Sequence, residues 1–183
     1  TISTTMEGTW VDGFLHGEGT LKRGDGAVFA GQWQQSRRTG TGRVTLPSGD
    51  YFQGDWAPGA KCSGTWRFAR GDIYEGAVDS AGDLSELKPN GEGVMRYRSG
   101  DRFTGSWKKG AMAGKGVLSR CNGDRYTGNW AKRKVDPAEA GQEDAGKVLG
   151  QGEAAGATES GHHSDGEGVL ESRNGDRYEG QWV

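Results

Sequence analysis

Few side chains in this sequence stand where chemistry could happen. Three histidines occur: His16 just before Gly17, and the pair His162-His163 with Asp165 close by. An imidazole working as acid or base needs a second group held against it, and no partner recurs beside His16, which reads as a turn residue. A zinc site needs several ligands on one frame. Cys62 and Cys121 lie far apart in the chain and carry no CxxC spacing, so they read as unpaired thiols of a reduced compartment. Carboxylates recur directly after glycine as Asp50, Asp72, Asp101, Asp124 and Asp176, with Asp25 offset. The nonapeptide Gly/Asp pattern of calcium-binding repeats is missing, and carboxylates on successive turns stand about 10 Å apart. One Asp per turn reads as a turn former. Neither Gly-x-x-x-x-Gly-Lys-Ser/Thr nor Gly-x-Ser-x-Gly occurs. The Gly-x-Gly pairs open strands rather than helices, so they cradle no phosphate. These residues specify no reaction, no metal and no cofactor.

The elements that position them are written in the glycines. Of 183 residues 35 are Gly, while only 32% are hydrophobic, which argues against helices packed around a globular core. All seven tryptophans have a Gly two residues upstream, as in Gly31/Trp33, Gly64/Trp66 and Gly105/Trp107. Chance would give about 1.3 such pairs, so the chain is an internal repeat. Each unit opens with a bulky residue: Met6-Glu-Gly-Thr-Trp10, Phe29-Ala-Gly-Gln-Trp33, Phe52-Gln-Gly-Asp-Trp56, Tyr74-Glu-Gly-Ala-Val78, Phe103-Thr-Gly-Ser-Trp107, Tyr126-Thr-Gly-Asn-Trp130 and Tyr178-Glu-Gly-Gln-Trp182. A Gly-x-Gly follows, at Gly17, Gly40, Gly91, Gly114 and Gly166, decaying to Cys62-Ser-Gly64 in the third unit. From its second Gly to the next ring is always ten residues, and the regular period is 23. Two units are longer, with insertions of six residues at 79–88 and of 29 residues within 131–164, and the third is one residue short.

Tyr-x-Gly-x-Trp, then Gly-x-Gly, closed by Asn/Ser-Gly-Asp, resembles the MORN repeat. Phe103–Tyr126 is the closest match, and His16-Gly17 keeps the family's His-Gly. The resemblance covers residues 1–183 as one array apart from the two insertions.

Strand side chains alternate, so ring, Gly and Trp at i, i+2 and i+4 share one face. The bare glycine lets neighbouring rings lie flat on the backbone, and Gly-x-Gly in the return strand has the same role. Ser48-Gly49, Ser99-Gly100, Asn122-Gly123 and Asn174-Gly175 supply the positive φ of tight hairpins. The expected fold is all-β: an elongated single-layer antiparallel meander of stacked hairpins, about six and a half repeats long. Residues 131–164 are Ala/Gly/Glu-rich without a ring and read as a flexible loop, with a weak helix start at Asp136-Pro137.

Two surfaces of such a sheet could bind. The aromatic face, with Phe29, Trp33, Phe52, Trp56, Phe103, Trp107, Tyr126 and Trp130, is expected to leave part of its stripe open as a groove for a peptide or helix. Arg102, Arg125 and Arg177, each just before a ring, form a row on the opposite face that could meet acidic tails or anionic lipid, or simply be solvated. A net charge of −2 argues against nucleic acid. No apolar run approaches the ~20 residues of a membrane helix. The first residues lack the basic start and apolar run of a signal peptide. The chain opens without Met and stops inside the seventh unit, as a piece of a longer protein would.

The resemblance implies a non-enzymatic scaffold in the cytoplasm, binding other proteins of a large cytoskeletal assembly by strand edges and aromatic groove. A ciliary or flagellar axoneme, as in radial-spoke heads, is the expected setting. The resemblance also admits a phospholipid-binding membrane module, or a regulatory segment of a larger enzyme.

Overall fold

The computed structural model describes residues 3–57, 62–79, 84, 87–132 and 162–182. Thirteen strands run through them: β1 (Thr4–Val11), β2 (Phe14–Arg23), β3 (Val28–Gln34), β4 (Arg37–Thr45), β5 (Tyr51–Trp56), β6 (Cys62–Arg67), β7 (Ile73–Asp79), β8 (Lys88–Arg96), β9 (Arg102–Lys108), β10 (Ala111–Ser119), β11 (Arg125–Lys132), β12 (His162–Glu171) and β13 (Arg177–Trp182). They form one open antiparallel sheet in chain order, each strand bonded to its sequence neighbours. Thirteen strands at ~4.8 Å extend roughly 60 Å.

One glycine from every strand stands in a single row. Gly8, Gly19, Gly31, Gly42, Gly54, Gly64 and Gly76 are successive cross-strand partners. Gly93, Gly105, Gly116, Gly128, Gly168 and Gly180 continue it. A Cβ at Gly42 would stand 2.5 Å from the tip of the Phe29 ring, so a side chain there would displace the ring. Phe29, Tyr74, Phe103 and Tyr126 each lie over the row glycine of their own return strand, Gly42, Gly93, Gly116 and Gly168.

The rings interlock edge to face. Phe29 meets Trp33 and Trp56, Phe103 meets Trp107 and Trp130, and Tyr126 meets Trp130 and Trp182, with centroids 5.1–5.3 Å apart. Such contacts place the positive ring edge on the negative face. Each of four indole N–H groups donates to the carbonyl of a row glycine 14 residues earlier: Trp33 to Gly19, Trp56 to Gly42, Trp107 to Gly93 and Trp130 to Gly116. Val78 breaks this pattern, because no indole stands there. Trp66, on the return strand β6, contacts Phe52 instead and stacks on Phe68. Its N–H finds no acceptor among the described residues.

The two glycines of Gly-x-Gly do different jobs, contrary to the shared role expected above. The second belongs to the row. The first, at Gly17, Gly40, Gly91, Gly114 and Gly166, has φ between 55° and 127°. It sits in a bulge where the return strand carries two extra residues, as between Gly105↔Gly116 and Trp107↔Met112. His16 correspondingly lies in β2 before the bulge, opposite Thr9, and not in the turn, which is Asp12-Gly13. In the short third unit Cys62 replaces the first glycine and the β5–β6 register shows no shift. One residue fewer means no bulge.

The glycine turns join one repeat to the next. Leu46 N–H donates to Asp50 O and Gly49 N–H to Leu46 O, and the same two bonds recur at 23–27, 68–72, 97–101, 120–124 and 172–176. This is a three-residue loop with one left-handed glycine, rather than a two-residue Asn-Gly turn. Two-residue turns occur at the opposite edge, with positive φ at Asp12-Gly13, Gln35-Ser36 and Lys109-Gly110.

The 79–88 insertion connects β7 to β8, Asp79 pairing with Lys88, and Leu84 and Leu87 return to the buried ring cluster. Of the 131–164 insertion, Ala131 and Lys132 pair with His163 and His162 in β11–β12, so the sheet reaches further than expected. The Asp136-Pro137 helix start and residues 133–161 lie outside the described residues.

Candidate functional site

The turn carboxylates brace the sheet. Asp50 accepts from the N–H of Ala69, Asp72 from Arg98, Asp101 from Cys121 and Asp124 from Arg173, at 2.7–3.0 Å, each linking one turn to the next. The first pair of turns lacks the brace for two reasons at once: Ala27 has no carboxylate and Pro47 no N–H. Asp25 instead accepts from Ala27 N–H inside its own loop. That bond, with Arg23 beside it, holds its pKa below the ordinary aspartate value of 3.8. Among the described residues no three His, Cys, Asp or Glu side chains converge on a metal position. The Tyr74 phenol is pushed well above its usual range by burial, with Glu92 adding to the shift, and donates to Ala77 O.

All eight rings expected to line a groove are buried, none more than 4% exposed. The expected open stripe is therefore absent from these positions. Trp56, Trp107 and Trp130 are each clasped by their own ring and the preceding repeat's ring, as Trp56 is by Phe52 and Phe29, which leaves no trough between them. Trp33 meets the Phe29 ring alone among the described residues. The exposed rings stand at the sheet's ends: Trp10 and Phe14 on β1 and β2, both at 50%, and Tyr178 on β13 at 53%.

Arg102, Arg125 and Arg177 do share a row on the opposite face, and register adds a member that spacing alone missed. Arg96 stands directly opposite Arg102, and the row runs Arg96–Arg102–Ser119–Arg125–Glu171–Arg177 across β8 to β13. Arg96 is paired with Glu75 at 2.5 Å and Arg177 with Glu179 at 2.7 Å. Arg102 and Arg125 are exposed and form no ion pair among the described residues. Beside them runs a second row, Val94–Thr104–Val117–Thr127–Val169, all β-branched. The corresponding row in β1–β6 reads Glu7–Thr20–Ala30–Arg43–Gln53–Thr65. The signal for this stripe was in the sequence, one residue after the row glycine on β8, β10 and β12 and one residue before it on β9 and β11.

An open sheet whose side chains on one face are spent on one another, with a charged and β-branched second face, defines a repeat-built, surface-presenting protein. The chain carries MORN repeats: the MORN repeat family model matches residues 7–28, 29–51, 88–102 and 103–125. It is similar to rat Alsin, 28% identical over 139 residues, covering 60% of this chain and 8% of Alsin. Human Alsin is 28% identical over 121 residues, covering 60% of this chain and 7% of its own. The chain thus spans less than a tenth of the curated relatives it matches. Among solved structures, the SAS-4 TCP domain of Drosophila melanogaster, in complex with a proline-rich motif of Ana2, is 13% identical with a TM-score of 0.40. The match covers 90% of this chain and 81% of that one. MORN repeats form a protein-interaction or membrane-binding module and are generally non-catalytic.

Proposed function

We propose that this chain is a non-enzymatic scaffold that binds other proteins in a large cytoskeletal assembly, with a ciliary or flagellar axoneme of radial-spoke type as its setting. The supporting observation is the second face of β8–β12. There Arg102 and Arg125, unpaired among the described residues, border the Val94–Thr104–Val117–Thr127–Val169 stripe. A face of alternating Val and Thr beside free guanidinium groups suits a protein partner that brings apolar side chains, hydrogen-bonding groups and carboxylates. Its place at the axoneme comes from the family resemblance. Proximity labelling of the protein in a ciliated cell is expected to recover axonemal or other cytoskeletal neighbours; neighbours from neither class would overturn it.

Anionic lipid is the second reading, favoured by the same two arginines. Two free cations beside a neutral stripe fall short of the clusters of four to eight that mark lipid-binding segments. Flotation with phosphoinositide vesicles at low salt separates the readings, because the scaffold reading expects the protein to stay in the soluble fraction. A third reading, a regulatory segment of a larger enzyme, draws on the match to a small part of Alsin. Activity of an adjoining domain measured with and without the repeats would test it.

A further inference from the structure

Arg38 stands where three other repeats hold an apolar residue, Leu15, Pro89 and Met112, and the sixth holds Ser164. Register sets it opposite Trp33, as Leu15 stands opposite Trp10 and Met112 opposite Trp107. Leu15 and Met112 are wholly buried. Arg38 is half-buried, its guanidinium carbon 4.8 Å from the Trp56 ring centre and 5.9 Å from that of Phe29. Burial holds its pKa below the usual arginine range, with the nearby Cys62 thiol pulling the other way. No carboxylate pairs with it and no acceptor receives its N–H groups among the described residues. The two rings carry the flat ion by cation–π contact but offer nothing to its five donors.

We propose that Arg38, walled by Phe29 and Trp56, is a receptor for one Asp or Glu side chain of a protein partner. The inference rests on the protein-interaction reading above and names the chemistry of one contact. A guanidinium fork matches a carboxylate by two parallel hydrogen bonds. The ring walls exclude water from one side of the pair and so strengthen it. Charge count selects the occupant. Arg37, next along β4, is exposed and alternates to the other face, so Arg38 presents a single positive charge. A monoanionic carboxylate neutralises it, whereas phosphate and lipid headgroups are held by several converging cations. Retaining an unpaired, half-buried ion at a position suited to Leu or Met is a stability concession of the kind binding sites make.

The test uses the whole chain with the Arg38 side-chain Nε–H followed by NMR and assigned by its loss in Arg38→Met. The probes are a blocked Leu-Glu-Leu peptide, its Leu-Gln-Leu twin, inorganic phosphate and phosphatidylserine vesicles. The Glu peptide should shift the signal saturably and bind about tenfold more tightly than the Gln peptide, and Arg38→Lys should lose most of that preference. Arg38→Met should abolish binding and raise the melting temperature by roughly 2–4 °C, because it restores the side chain of position 112. Equal binding of the two peptides, tighter binding of phosphate or vesicles, or a lower melting temperature for Arg38→Met would each overturn the proposal. Labelling in cells is independent of all these readouts, so the localisation can fail while the carboxylate site stands.

Discussion

The two long edges of the sheet obey different rules. At the edge joining one repeat to the next, six turns share a length, a left-handed glycine and two backbone bonds, and four carboxylates tie successive turns together. At the hairpin edge the connections run from two residues at Lys109-Gly110 to 29 at 133–161, and register breaks next to the row glycines. Both insertions and the one-residue deletion fall at this edge. Turn-to-turn bonding explains the contrast. A change of length at the joining edge would pull a carboxylate off its neighbour's N–H. The hairpin edge has no recurring carboxylate brace and is tied to the preceding repeat only at single points, Ser36 to Leu15 and Gly110 N–H to Pro89 O, among the described residues. The joining edge sets the pitch of the array, and the hairpin edge is left to vary, with Arg38 beginning just past one of its turns.

The ring core belongs to both edges, and breaking it should have the largest effect. Trp107→Ala removes an indole clasped between Phe103 and Tyr74, and should lower the unfolding free energy by about 3–5 kcal/mol in a urea titration. The two glycines at 114 and 116 come next. Gly116→Ala drives a methyl group into the Phe103 ring and should cost about 1–3 kcal/mol. Gly114→Ala meets only an ordinary contact with Ser106 at 3.9 Å but a φ of 64°, and Asn there should recover part of the loss, because Asn tolerates that conformation. If Gly114→Asn is as damaging as Gly116→Ala, the division of labour within Gly-x-Gly is wrong.

A smaller pair tests the edges directly. Asp101→Ala frees the Cys121 N–H and should cost about 1 kcal/mol. Widening the Lys109-Gly110 turn by a few Gly/Ser residues gives up at most the Gly110 N–H bond to Pro89 O and should cost about 1 kcal/mol, without loosening the glycine turns of the joining edge in hydrogen exchange. The smallest effect is at Asp25. Its lowered pKa means that its contribution is complete above pH 3.8 and lost as pH falls through the lower folded value. Asp25→Asn should therefore lower neutral stability slightly, with the difference from the parent vanishing at the acid end of a melting-temperature profile.

Much of this fold could be read from spacing, because the repeat's rules are local. Ring, Gly and Trp at i, i+2 and i+4 fix a strand face, and Ser48-Gly49 or Asn122-Gly123 fixes a turn. What escaped depended on strand neighbours. The burial of Phe29 and Trp56 requires knowing that a ring touches the tryptophan 27 residues ahead, so an aromatic stripe looked like a groove. Gly114 and Gly116 are the same letter, one held by its φ and the other by what lies above it. Trp66 shares the Gly-x-Trp spacing of the openings but stands on a return strand, as the decayed Gly-x-Gly at Cys62-Ser-Gly64 implies. Arg38 and Arg96 acquire meaning only when register sets them opposite Trp33 and Arg102.

Strand order also sets the pace of folding. A sheet of thirteen strands would ordinarily be slow to form, because distant segments must find one another. Here every strand's partner is the next in the chain, so a nucleus can arise at any hairpin and zip outward. One junction interrupts that zipper: β12 reaches β11 only after 29 intervening residues are closed into a loop. The β12–β13 hairpin is therefore expected to dock last on the eleven-strand block and to part from it first, which hydrogen exchange along the sheet would show.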